Sequence, residues 1–324
     1  MKNSKTYFSL LVFVLIASVF LNLKYAGSEN CNLDFSNFIF KEIRLPKTIS
    51  CIAAGVGLPI AGLILQVIFR NPLAGPYVLG VSSGAGLMLA LVTLTPLTLL
   101  NIQTPFFGKS IIVFASITGS IMATVLILLI SKKIKSNVLL LLVGIMIAQI
   151  CGALQSVLEF LSNPSNLKNF IVFNMGNLSL CNLNESLILL GLILLCLIIL
   201  LFYTKTLNAF LFGEKYATNL GFNYTKNRFT FILITSIITG IITAFCGPIA
   251  FIGIAIPILS RWLINTSHQG VQIISSAMLG CTLLLLCDLI SHNIIKNSLV
   301  PINTITSIVG APIVITLLFK SKTW

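Results

Sequence analysis

Side chains able to carry out acid–base or metal chemistry are few in this sequence. It contains seven acidic residues and two histidines among 324, and only Glu159 and Asp288 lie inside long apolar runs. No zinc-protease, nucleophile-elbow or Walker A pattern occurs, and no pair of carboxylates stands close together in an apolar run. The sequence therefore predicts a chain without catalytic residues, and any energy from ATP must come from another polypeptide.

The cysteines do not indicate a metal centre. No C-x-x-C pair is present, and six of the eight lie inside apolar runs, namely Cys51, Cys151, Cys196, Cys246, Cys281 and Cys287. Cysteine in such surroundings usually serves as a small packing residue, so we predict no metal site. Cys31 and Cys181 fall in connecting segments, which leaves a disulfide between them open.

The composition requires a membrane. Hydrophobic residues make up 57% of the chain and charged residues 8%, whereas soluble domains carry about 25% charged residues. Apolar runs of roughly 20 residues recur along the chain, and they are apolar on all sides, which favours helices over a β-barrel. We predict an all-α integral membrane protein with one domain, residues 1–324, and about ten spans, at roughly 7–23, 45–69, 77–100, 110–131, 137–161, 183–204, 228–246, 249–266, 271–295 and 302–319.

The basic residues predict the orientation of these spans. With the N-terminus in the cytoplasm, most of the 20 lysines and arginines fall on the cytoplasmic side, and Lys132, Lys133 and Lys135 form the densest group. The first run is then an uncleaved span, and an even number of spans returns the C-terminus to the cytoplasm. The net charge of +13 therefore reflects topology in an inner membrane, and we expect no nucleic-acid partner.

The two acids inside apolar runs are candidates for a function, because ionisable groups are costly in a bilayer. Glu159 and Asp288 both lie towards the predicted outer ends of their spans. Each could pair locally or take part in transport. The scarcity of such groups argues against a carrier coupled to protons or sodium ions.

Glycine and proline cluster in short strings whose order along the chain is informative. The strings are R-L-P-K at 44–47, F-R-N-P-L-A at 69–74, L-G-V-S-S-G-A at 79–85, M-G-N-L at 175–178, L-F-G-E at 211–214, G-P-I-A-F-I-G at 247–253 and G-A-P at 310–312. Together, over roughly residues 40–320, they resemble the FecCD-type permeases, the iron-siderophore, haem and cobalamin importers of the ABC superfamily.

The resemblance implies a fold of ten helices per subunit and a homodimer whose translocation pathway lies at the subunit interface. It also implies cytoplasmic ABC ATPase subunits, which would use the ATP, and an extracytoplasmic substrate-binding protein. No cofactor bound by the chain itself is implied.

The same resemblance assigns an ATPase-coupling segment to the long inner connection. Its residues would be Gly213, Glu214, Ala217, Leu220 and Gly221, matching the family's coupling string. We expect a short surface helix that presents Ala217 and Leu220 on one face to a groove of the ATPase.

Two further groups of site residues follow from the resemblance. Arg44 and Lys47 match basic positions that dock the binding protein, and His292 stands where the family often has a third, an arginine. Three residues match or lie near positions of the cytoplasmic gate, namely Asn71, Leu73 and Asn137.

The sequence thus predicts the permease subunit of an ATP-driven importer, with a ferric siderophore as the expected cargo and haem or cobalamin as alternatives. A secondary transporter or channel that works without ATPases is the second interpretation. A membrane-embedded enzyme is the third.

Overall fold

A computed structural model describes residues 2–25, 38–94, 105–131, 137–294 and 300–320, and these are helical with short connections. A π-helical turn, Phe40–Arg44, leads into α2, and a 3-10 turn, Leu178–Leu180, precedes α7. The thirteen α-helices are α1 (Lys2–Tyr25), α2 (Leu45–Phe69), α3 (Val81–Leu94), α4 (Pro105–Ser131), α5 (Asn137–Leu161), α6 (Pro164–Asn174), α7 (Leu183–Phe202), α8 (Thr204–Leu211), α9 (Glu214–Asn219), α10 (Tyr224–Cys246), α11 (Ile252–Ile264), α12 (Gln269–Asn293) and α13 (Ile302–Lys320).

Ten of these helices are apolar enough to lie in a membrane. Seven are long enough to cross it, and three shorter ones are α3, α11 and α13. The predicted fold class, an all-α membrane protein with about ten spanning helices, is confirmed. The remaining helices are short: α6 was not predicted, whereas α8 and α9 occupy the connection in which the sequence predicts surface helices.

Helix α2 occupies the centre of the molecule. Of the residues in its most apolar window, 94% are buried, compared with 11% in the window of α5. Neighbouring helices pack directly against its backbone at two glycines. A Cβ atom added to Gly55 would lie 2.7 Å from Cα of Cys281 in α12, and one added to Gly62 would lie 1.6 Å from the carbonyl oxygen of Gly253. Apolar side chains gain little by associating in lipid, so close backbone contact of this kind is what packs such helices.

Hydrogen bonds between side chains and backbone join α4 to α10. Ser116 Oγ donates to the carbonyl oxygen of Gly240 at 2.8 Å, and Ser120 Oγ donates to that of Ser236 at 2.7 Å. Gly240 allows this approach, since an added Cβ atom would lie 2.7 Å from Cα of Ile117. Such interhelical bonds contribute on the order of 1 kcal/mol each in a membrane.

The chain between α10 and α11 is not helical although its sequence is apolar. Gly247 and Phe251 have φ angles of 75° and 64°, and an aromatic residue seldom adopts a positive φ. The amide of Ala250 donates to Asn303 Oδ1 at 3.0 Å, which holds this segment, residues 247–251, against α13. We call it the intramembrane link. It explains why the predicted span 249–266 begins only at Ile252.

The close contact between α2 and the start of α11 predicts that Gly62→Ala is strongly destabilising. Overpacking typically costs about 1–3 kcal/mol, and here the obstacle is a backbone carbonyl that cannot move aside. Gly191→Ala in α7 is the matched control, because its added methyl group meets no atom within 4 Å. Thermal unfolding of the purified variants in detergent should show a lower midpoint for Gly62→Ala alone; equal midpoints would contradict this packing.

Candidate functional site

A cluster of ionisable side chains lies where α1 ends, α2 begins and α12 ends; we call this the Lys47 end. Lys47 Nζ forms an ion pair with Asp288 Oδ2 at 2.7 Å, and Asn22 Nδ2 donates to the same oxygen at 2.9 Å. His292 lies one turn after Asp288 on α12, and its Nε2 contacts Lys47 Nζ. Asp288 is therefore paired with a neighbouring side chain. This is one of the two roles, local pairing or a part in transport, that the sequence leaves open for it.

A second set of bonds at this end fastens α1 to α2. Arg44 Nη1 donates to the carbonyl oxygens of Leu23 and Lys24, at 3.1 and 2.8 Å, and so satisfies acceptors at the end of α1. Thr48 Oγ1 is bonded to Asn22 Oδ1 at 2.9 Å. The three helix ends are thus tied together by buried polar contacts.

The burial of this cluster bears on the predicted docking residues. Arg44 and Lys47 are each 3% exposed, and His292 is partly buried. The structure brings Lys47 and His292 together with Asp288, and it directs Arg44 to the backbone of α1. In this arrangement neither cation presents its charge on the surface, where a partner protein would meet it.

The opposite end of the molecule carries α8 and α9; we call it the α9 end. Phe210 of α8 stacks on Tyr224 with ring centroids 4.5 Å apart, and it meets Phe231 edge to face at 5.4 Å. Ala217 of α9 is fully buried, and its amide donates to the carbonyl oxygen of Gly213 at 3.0 Å. The pair of short helices is therefore anchored to α10 through its inward face.

The outward face of this pair carries three exposed apolar side chains among polar ones. Phe212, Tyr216 and Leu220 are 65%, 47% and 55% exposed, and the rings of the first two lie 4.9 Å apart. We call these three residues the α9 patch. The sequence places Ala217 beside Leu220 on one docking face; the structure corrects this, since Ala217 points inward and Tyr216 stands on the exposed side. A helix of six residues carries too little periodicity to show which side faces inward.

The predicted coupling segment is also connected to α2 and α12. Asn208 Oδ1 of α8 accepts a hydrogen bond from the amide of Gln269 at 2.8 Å, at the first residue of α12. The guanidinium of Arg70, the residue directly after α2, lies against Gly213, where an added Cβ atom would be 3.1 Å from Nη1. Gly213 and Gly221 have φ angles of 98° and 84°, which suits glycine. A displacement of this segment would therefore reach both helices directly.

The predicted gate residues are only partly assembled by the described structure. Asn71 Oδ1 accepts from the amide of Leu73 at 2.9 Å, so the two lie together in the non-helical turn after α2. Leu73 packs against the cluster formed by α11 and α13. Asn137 begins α5, but its side chain lies outside the described residues, as does Cys31. Cys181 is buried, and its Sγ donates to the carbonyl oxygen of Phe245.

A polar cavity of about 440 Å³ lies between α3, α5, α6, the intramembrane link and α13. None of its lining residues is among the site residues predicted from the sequence. Its polar residues come from distant parts of the chain. In the sequence they share only an uncharged amide or hydroxyl group that lies within or beside an apolar run. They include Ser83, Gln149, Gln155, Asn174 and Asn303.

The fold is that of an ABC transporter permease. A solved inward-facing conformation of a metal-chelate type ABC transporter superposes with a TM-score of 0.80 and 28% identity, covering 96% of this chain and 97% of that one. PsaBC from Streptococcus pneumoniae, 16% identical with a TM-score of 0.60, shares the fold over 85% of this chain and 91% of its own.

Sequence comparison then identifies the family. The model of the FecCD transport family matches residues 6–320, and the chain belongs to that family. It is 30% identical to the hemin transport system permease protein HmuU of Yersinia pestis, over 97% of this chain and 96% of the relative. It is 31% identical to the vitamin B12 import system permease protein BtuC of Photorhabdus laumondii, over 87% and 82%. The family resemblance read from the sequence strings is confirmed.

The buried ion pair predicts a characteristic mutational pattern. Lys47→Met should destabilise the protein by about 3–5 kcal/mol, because it leaves the carboxylate of Asp288 buried without a cation. The double variant Lys47→Met/Asp288→Leu should recover much of that loss, since neither charge remains. Lys41→Met, at an exposed position in the adjacent π-helical turn, is the control and should change little. The pairing would be contradicted if the thermal midpoint of the double variant fell by the sum of the two single effects, with no recovery.

Proposed function

We propose that this chain is the membrane permease of an ATP-driven importer for a ferric siderophore. Membership of the FecCD family supports an importer for a nutrient of the metal-chelate, haem or cobalamin type. The relatives named for hemin and vitamin B12 keep haem and cobalamin as alternatives for the cargo. The chain would lie in the inner membrane of a bacterial cell, with both termini in the cytoplasm.

The observation that carries this proposal is the α9 patch. Its exposed apolar side chains stand on α9 and on the residues that directly follow α8 and α9, and these short helices are fixed to the body of the protein by buried aromatic contacts. A rigid apolar surface of this kind fits a groove on a partner protein. The partner would be the cytoplasmic ATPase, with Glu214 and Lys215 at the rim of the contact.

The structure offers a path by which ATPase movement would reach the transmembrane helices. The α9 patch is continuous with Asn208 and Gly213, and these contact the start of α12 and the end of α2. The two helices pack closely along their length and are joined again at the far end by Lys47 and Asp288. In the proposed cycle they move together and alter access from the two sides.

A second copy of the chain would complete the transport pathway. Helix α5 is mostly exposed, and its exposed face includes the amide side chain of Gln149 as well as apolar residues. An amide facing lipid is unfavourable because hydrocarbon offers it no hydrogen bond. We therefore place α5 at a homodimer interface beside a water-filled pathway, with Asn71 and Leu73 near its cytoplasmic gate.

The binding protein would dock at the Lys47 end. Since Arg44 and Lys47 are buried, we propose that exposed cations nearby make the first contact. Lys41 is exposed in the turn before α2, and Lys168 is exposed on α6, whose Val172 lines a pocket together with Lys47. The buried cluster would then act as the rigid base that holds this docking surface.

The coupling assignment predicts that Tyr216→Asp and Leu220→Asp reduce capture of the ATPase and ATP-dependent uptake by about tenfold or more, because each puts a charge into an apolar contact. Thr225→Asp is the matched control, since it adds the same charge at an exposed position in the first turn of α10. Co-purification of the ATPase with the permease measures the contact. Unchanged co-purification of both patch variants, with normal expression, would remove the α9 patch as the docking surface.

A further inference from the structure

The polar cavity beside α5 is suited by its volume to a small molecule. Its volume of about 440 Å³ lies within the range of small-molecule sites, about 300–1,000 Å³. Ser83 and Tyr77 lie on one side of it, Gln149 and Gln155 of α5 on another, and Asn174 and Asn303 on a third. Each of these side chains can donate or accept hydrogen bonds, and amides can do both at once.

Four amide side chains among the described residues line the cavity, and two of them, those of Gln149 and Asn174, are available to a ligand. Gln155 Nε2 donates to the carbonyl oxygen of Ser83 at 3.1 Å, and Asn303 Oδ1 accepts from Ala250, so both are held in place by the protein. Within the described residues, the side chains of Gln149 and Asn174 make no hydrogen bond. A bound molecule with polar edges would give them partners.

The lining is also free of charge. No lysine, arginine, aspartate or glutamate occurs among the described residues that line the cavity. The ionisable residue one turn beyond Gln155 on α5 is an acid, Glu159, which would repel an anion. An anion that loses its hydration here would find no cation to replace it, and that loss is costly. A neutral molecule with amide or hydroxamate groups would meet no such penalty.

We infer that this cavity receives the cargo, and that the cargo is a chelate without net negative charge whose surface carries amide or hydroxamate groups. The inference rests on the proposed function and specifies its substrate class. It favours neutral hydroxamate iron complexes, and it disfavours tricatecholate iron complexes and the dicarboxylate haem.

Equilibrium binding to the purified permease in nanodiscs of neutral lipid tests this charge selectivity. The probes are a neutral ferric trihydroxamate and a trianionic ferric tricatecholate, both labelled with radioactive iron. The neutral complex should bind more tightly than the trianion, by about tenfold or more. Gln149→Lys should raise affinity for the trianion by about tenfold, whereas Asn293→Lys, which adds the same charge at an exposed site outside the cavity, should not.

Each other result would overturn the inference. Equal or tighter binding of the trianion to the unaltered protein would show that the lining does not select by charge. Binding of neither complex, or equal effects of the two lysine variants, would show that the cavity does not receive the cargo. ATP-driven uptake of the trianion by the assembled transporter would leave the importer assignment intact and remove only the substrate class. Absence of ATP-driven uptake of every chelate would instead count against the importer itself.

Discussion

Close backbone packing around α2 is the constraint on which the rest of the structure depends. Lipid tails are as apolar as leucine side chains, so burial from water cannot hold this central helix against its neighbours. Gly55 and Gly62 instead let α12 and the start of α11 approach the backbone of α2 to distances that no larger residue permits. That packing fixes where the intramembrane link runs, and the link in turn forms one wall of the polar cavity.

The same helix joins the two ends of the molecule. Its first turn supplies Lys47 to the buried pair with Asp288, and its last residue is followed by Arg70, which lies against Gly213 of the coupling segment. Helix α12 spans the same distance in the opposite direction, from the amide bonded to Asn208 to the carboxylate bonded to Lys47. The two helices therefore connect the α9 end to the Lys47 end through direct contacts.

Much of the fold could be predicted from the sequence, because apolar runs of membrane length are unambiguous and the glycine strings keep their order along the chain. Features that depend on which neighbour a residue contacts in the folded protein could not be predicted from the sequence. Arg44 and Lys47 suggest a charged surface when read alone. In the structure, the partners that bury them are 20 and 21 residues away for Arg44 and about 240 residues away for Lys47. The sequence predicts a break between spans at residues 247–248, but residues 249–251 of the intramembrane link are apolar, and only the backbone angles show that the break extends to Phe251. The cavity amides come from α5, α6 and α13, so no single string contains them.

Transport by the assembled complex is the most direct test of whether this chain is the permease of an ATP-driven importer. The permease would be placed in vesicles with its ATPase and its binding protein, and uptake of a radioactive ferric trihydroxamate would be followed with ATP present or absent. We expect uptake that requires ATP hydrolysis, stops when the ATPase is omitted, and is not restored by a proton or sodium gradient. Uptake by the permease alone, driven by an ion gradient, would contradict the account and identify a secondary carrier.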